Sequence, residues 1–105
     1  MTAHAFEQTL CIAADHPSLA GHFPDQPLVP GVIVLEQVAL ALRAWRGLRL
    51  TRVLEAKFMQ PLRPAQRALL RLSAAGQPGQ SPARLRFEIV HDGSVLARGQ
   101  VEADA

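Results

Sequence analysis

The chain has 105 residues, room for one domain (1–105) and no more. Hydrophobic residues make up 49% and charged residues 19%, a balance that excludes a disordered chain. The net charge of +2 comes from ten arginines and one lysine scattered without a basic run, which argues against a nucleic-acid-binding arm.

In chain order, Ala5 to Ala13 reads as a half-buried strand, because Phe6, Leu10 and Ile12 share one parity. Within it lies the single cysteine, Cys11, which can form no intramolecular disulfide and reads as a small buried hydrophobe. Asp15 to Gly31 carries Pro17, Gly21, Pro24, Pro27 and Pro30, too many breakers for any regular element, so it reads as an ordered loop. Val32 to Trp45 is apolar on nearly every side and is closed by Gly47. This predicts a helix that must be surrounded rather than laid on a surface.

Strand-like runs follow: Thr51 to Met59, a turn at Pro61 to Pro64, then Arg67 to Ala74. After a loop at Gln77 to Pro82, Arg84 to Val90 alternates cleanly, with Leu85, Phe87 and Ile89 on one face. Asp92-Gly93 predicts a tight hairpin turn, and Val95 to Val101 a last strand that frays into a polar tail. One apolar helix with a five-stranded antiparallel sheet curled around it is the economical packing, an α+β fold. Nothing in MTAHAFEQTL reads as a signal peptide. The longest apolar stretch is broken by Glu36 and Gln37, so no membrane span is expected and the protein is placed in the cytoplasm.

The chemistry concentrates in His16 to Ala41. His22 stands in a proline-stiffened Gly21-His22-Phe23-Pro24 loop, Pro30-Gly31 opens the helix, and Glu36 interrupts its apolar run. Each alone has an ordinary explanation: a solvated loop histidine, helix punctuation, a carboxylate facing water. Yet Leu35, Val38, Ala39 and Leu40 crowd Glu36, and Gln37 is its only polar neighbour on the helix. Burial disfavours a carboxyl's charge, the condition a general acid needs, and a neutral histidine nearby can act as base. Gly31 lacks a Cβ, so a substrate oxygen can approach the amides at the helix start. Base, acid and oxyanion donor are the parts needed to take an α-proton and expel a β-hydroxyl.

The run GHFPDQPLVPGVIVLE resembles the signature of the bacterial 3-hydroxyacyl-[acyl-carrier-protein] dehydratases, the FabZ/FabA-like family of hotdog fold. The likeness lies in the GHFP loop, the later prolines, the Pro-Gly-Val helix start and the interval from histidine to glutamate (36 − 22 = 14). Ala56-Lys57-Phe58-Met59-Gln60-Pro61-Leu62-Arg63-Pro64 resembles the family's strand and turn after the helix. The chain is short for the family, and Leu40 stands where the family commonly has Gln. Short relatives of this kind occur in specialised pathways such as aryl polyene pigment synthesis.

The resemblance implies dehydration of a 3-hydroxyacyl thioester to the trans-2-enoyl thioester in fatty-acid or related lipid and pigment synthesis. It places catalysis on His22 and Glu36 and the oxyanion-binding amides on Gly31 and Val32. It implies a homodimer or higher homo-oligomer with the acyl chain at the interface, the two catalytic residues coming from opposite copies. The partner is acyl carrier protein, docking at a basic rim, and no metal or organic cofactor is required. A hotdog thioesterase and a non-catalytic acyl-carrier-binding subunit are the alternatives. The pairing of His22 with Glu36 favours dehydration over both.

Overall fold

The computed structural model describes residues 5–12, 29–77 and 79–105. Its elements are β1 (Ala5–Leu10), α1 (Gly31–Arg46), β2 (Arg49–Phe58), β3 (Ala68–Ala74), β4 (Ala83–His91) and β5 (Ser94–Asp104). The five strands form one antiparallel sheet in the order β1-β3-β4-β5-β2. The strands that flank α1 in sequence therefore lie at opposite edges of the sheet, and the helix crosses its inner face between them. This is the α+β hotdog architecture.

α1 forms because its first sixteen residues after Pro30 contain neither proline nor an internal glycine. Pro30 is the N-cap, with an extended backbone and no side-chain cap bond. At the other end Gly47 turns into the left-handed region (φ 65°), which glycine adopts without steric cost. Its N–H donates to the Arg43 carbonyl (2.9 Å) while that of Leu48 donates to Leu42 (3.3 Å), a Schellman closure. Arg43 and Arg46 in the last turn complement the helix dipole.

The core joins Ile33, Val34, Val38, Ala41 and Leu42 of α1 to the inward residues of the sheet: Leu70 and Leu72, Leu85, Phe87 and Ile89, Val101 and Ala103. Among the described residues no polar or charged side chain is buried. The outer face is a charged lattice instead. One cross-strand row runs Glu7, Arg71, Glu88, Arg98, Lys57. Within it Arg71 Nε lies 3.1 Å from Glu7 Oε2. The alternation holds the register, since a slip of one residue would turn the apolar set outward.

Two expectations need correction. β5 does not fray after Val101 but continues to Asp104, because Ala103 is fully buried between Leu50 of β2 and Ala83 of β4. Cys11 is exposed rather than buried; it sits between buried Leu10 and Ile12 and so points to the opposite side. One chain by itself does not supply the surrounding expected of the helix. The single sheet covers one side of it, and Val32, Glu36, Leu40 and Arg43 are exposed on the other. The Asp92-Gly93 turn is as expected, with positive φ at both residues (48° and 77°), as a type I′ hairpin requires.

Candidate active site at the start of the helix

The first turn of α1 is held from two sides. Val29 N–H donates to the Leu62 carbonyl (2.8 Å), tying the chain before Pro30 to the segment after β2. Met59 N–H and Gln60 N–H both donate to the Leu96 carbonyl (2.8 and 3.1 Å), fixing the end of β2 against β5. Ile33 N–H and Val34 N–H return to the Pro30 carbonyl (3.0 and 3.4 Å), and Pro30 itself has no N–H. Helical geometry thus leaves the amides of Gly31 and Val32 without an intrahelical acceptor, at the positive end of the dipole. Two adjacent donors of this kind suit a developing oxyanion.

Beside them opens a cavity of about 380 Å³. Gly31 and Val34 form one wall, Phe58 to Leu62 the opposite one, and Ile89, Leu96 and Ala97 the inner end. Gln60 alone among these lining residues has a polar side chain. An uncharged, apolar group fits such a space, with its polar end left at the helix start.

Glu36 lies elsewhere on the helix. Five residues beyond Gly31 place it about 7.5 Å along the axis and about 140° around it. It is exposed on the described chain and does not line the cavity. This corrects the burial expected from its neighbours in sequence: the residues one turn to either side are Val32 and Leu40, themselves 70% and 54% exposed. Among the described residues no hydrogen bond or ion pair engages its carboxylate. The structure therefore sets Gly31 in the cavity wall, and Val32 and, one turn beyond it, Glu36 on the outward face. His22 lies outside the described residues, as do His4 and His16. His91 does not line the cavity; its Nδ1 lies 2.6 Å from the Arg67 carbonyl oxygen.

Phe58, Met59, Ile89, Leu96 and Ala97 were not singled out as site residues from the sequence. Phe58 and Met59 carried one usable signal: two large apolar residues at a strand end, directly before Gln60-Pro61.

Comparison with known proteins agrees with this architecture. The chain matches the family model described as ApeI-like, ApeI dehydratase, over residues 1–100. It is 34% identical over 71 residues to 3-hydroxyacyl-[acyl-carrier-protein] dehydratase FabZ of Histophilus somni strain 2336, covering 58% of this chain and 47% of that protein. To the FabZ of Chlamydia muridarum it is 29% identical over 100 residues, covering 80% and 65%. The chain thus spans about half to two thirds of the length of these curated relatives. Among solved structures, the dehydratase heterocomplex ApeI:P from Xenorhabdus doucetiae superposes with a TM-score of 0.76 at 22% identity, covering 97% of this chain and 88% of that one. With the family model spanning nearly its whole length, the chain belongs to the ApeI-like dehydratase family.

Proposed function

We propose that the protein is a single-domain cytoplasmic lyase that converts a 3-hydroxyacyl thioester on acyl carrier protein into the trans-2-enoyl thioester and water. The observation that carries this reading is the helix start, where the amides of Gly31 and Val32 have no intrahelical acceptor and Gly31 lines an apolar cavity. In the proposed reaction the thioester carbonyl accepts from these amides, which stabilises the enolate-like state as His22 removes the α-proton. Glu36 in its protonated form gives a proton to the β-hydroxyl, the C–O bond breaks, and water leaves as the α,β double bond forms. The step is balanced by the two residues and needs no oxidant or reductant. Family membership and the names of the FabZ relatives support the substrate class and the carrier protein as partner.

The active form in this reading is a homodimer. Val32 and Leu40 flank Glu36 on a helix face that one sheet leaves open, and a second copy laid there would cover all three. It would also withdraw Glu36 from water, the condition for proton donation. The site is then shared, with His22 of one copy serving Glu36 of the other.

The test is an assay of the purified protein with a 3-hydroxyacyl carrier thioester, following enoyl formation and free thiol release together. Enoyl product without thiol is the expected result. Thiol release alone would make the protein a thioesterase, and neither product would make it a non-catalytic subunit.

A further inference from the structure

We infer that Ala97 sets the length of acyl chain the cavity accepts, with Phe58 as the doorway residue. This rests on the thioester reading above but names a determinant that reading does not require. Three residues stand in one cross-strand row on the inner face: Phe58 of β2 pairs with Ala97 of β5, which pairs with Ile89 of β4. Ala97 is thus the small member between two large ones. The row is hollow where its side chain stops, and that hollow is the inner end of the cavity. Ile89 and Ala97 are 1% and 3% exposed, so the end wall is part of the packed core and cannot retreat.

The doorway is built differently. Phe58 is half exposed, and its ring lies against the α-carbon of Gly31, where a Cβ would stand 3.0 Å from Cζ. The ring meets the helix backbone itself and narrows the approach beside the two amides of the first turn. An acyl chain whose carbonyl rests on those amides must pass Phe58 and end at Ala97. A cavity of about 380 Å³ is at the small end of the usual range for small-molecule sites, about 300–1,000 Å³. Short chains fit the wild-type space and long ones strain its end wall. One methylene in an apolar pocket is worth a discrimination of roughly ten- to two-hundred-fold.

The experiment compares wild type, Ala97→Leu and Phe58→Ala with 3-hydroxybutanoyl and 3-hydroxydecanoyl carrier thioesters, reading the ratio of kcat/KM for decanoyl over butanoyl. Ala97→Leu is expected to lower this ratio by about tenfold or more, and Phe58→Ala to raise it by about tenfold. Overpacking can prevent Ala97→Leu from folding; Phe58, at a half-exposed position, then carries the test alone. A second readout needs no turnover: the rise in Tm with S-decanoyl- against S-butanoyl-N-acetylcysteamine, which should move with the same variants in the same directions. If a folded variant turns over both substrates with the wild-type ratio, Ala97 and Phe58 do not select length and the inference is wrong. If no protein makes enoyl product but the Tm preferences shift as stated, the acyl subsite stands and the dehydratase reading falls.

Discussion

Trp45 in the last turn of α1 stacks on Phe6 of β1, with ring centroids 6.1 Å apart and planes inclined by 25°. The Arg46 guanidinium lies 4.0 Å from the centroid of the same indole. This contact fastens the edge strand β1 to the helix at the end remote from the cavity. Trp45→Leu removes the stacking while keeping an apolar side chain, and should lower stability by about 1 kcal/mol. Phe6→Leu should do the same, and the double variant should cost less than the sum of the two. Trp45 is the only tryptophan, so in Phe6→Leu its emission reports the loosened contact directly. A strictly additive double-mutant cycle by urea denaturation would show that the rings contribute nothing as a pair.

The proposed chemistry makes a separate claim on the residues named for it. His22→Ala and Glu36→Gln should each slow enoyl formation by roughly two to four orders of magnitude. Glu36 is exposed on the single chain, so Glu36→Gln should leave the chain's fold intact, as circular dichroism would check. If the site is shared, unfolding the two inactive variants together and refolding them forms mixed dimers, half of the total by random pairing. Each has one intact site of two, so activity should return to about a quarter of wild type. Mixed dimers that form and stay inactive would place both residues on one chain.

The open face of α1 gives a prediction about assembly. Leu40 is half exposed and touches no core cluster, so Leu40→Arg should change the stability of the isolated chain by no more than about 0.5 kcal/mol. In a dimer the same substitution would bury an unpaired charge. Sedimentation should therefore show wild type as two chains and Leu40→Arg as one, with loss of activity following dissociation. An unchanged two-chain species would move the interface off this face.

The end of β5 can be tested by charge. Ala103 is fully buried between Leu50 and Ala83, whereas its neighbours Glu102 and Asp104 are only partly buried. Ala103→Asp should destabilise the fold by about 3 kcal/mol or more, because the carboxylate has no partner there. A matched control, Glu102→Gln, loses only the 4.0 Å pairing with Arg52 and should cost less than about 1 kcal/mol. Equal midpoints in a denaturant titration would show that β5 does not extend past Val101 in solution.

How far the sequence could be read depended on what each residue reports. Leu85, Phe87 and Ile89 were legible because β4 is an interior strand with one buried face, and large side chains make its alternation plain. The last residues of β5 were obscured because Ala103 is too small to register as apolar in a period of two, although the core closes on it. Cys11 was misread by weighing its residue type above its parity, which places it opposite Leu10 and Ile12. Glu36 was judged by its sequence neighbours, when its neighbours in space are Val32 and Leu40 at one turn's spacing. The cavity was invisible for a physical reason: it exists where Ala97 leaves room between Phe58 and Ile89, and no periodicity records empty space.

The strand order has a consequence for how the chain assembles. β4 and β5 meet across the two-residue turn Asp92-Gly93, a local closure that can form within microseconds. β1 precedes the other four strands in the chain, yet among the described residues its one strand partner is β3, and the Ala5 to Ser73 pairing closes a separation of 68 residues (73 − 5). The entropy of that closure must be met before any of its contacts stabilise the product. β1 is therefore expected to find its place late, and until it does one edge of β3 is an open template for another chain. Refolding from a nascent or denatured chain should be most exposed to aggregation at that stage, and the Glu7–Arg71 pair lies on the edge where the late strand arrives.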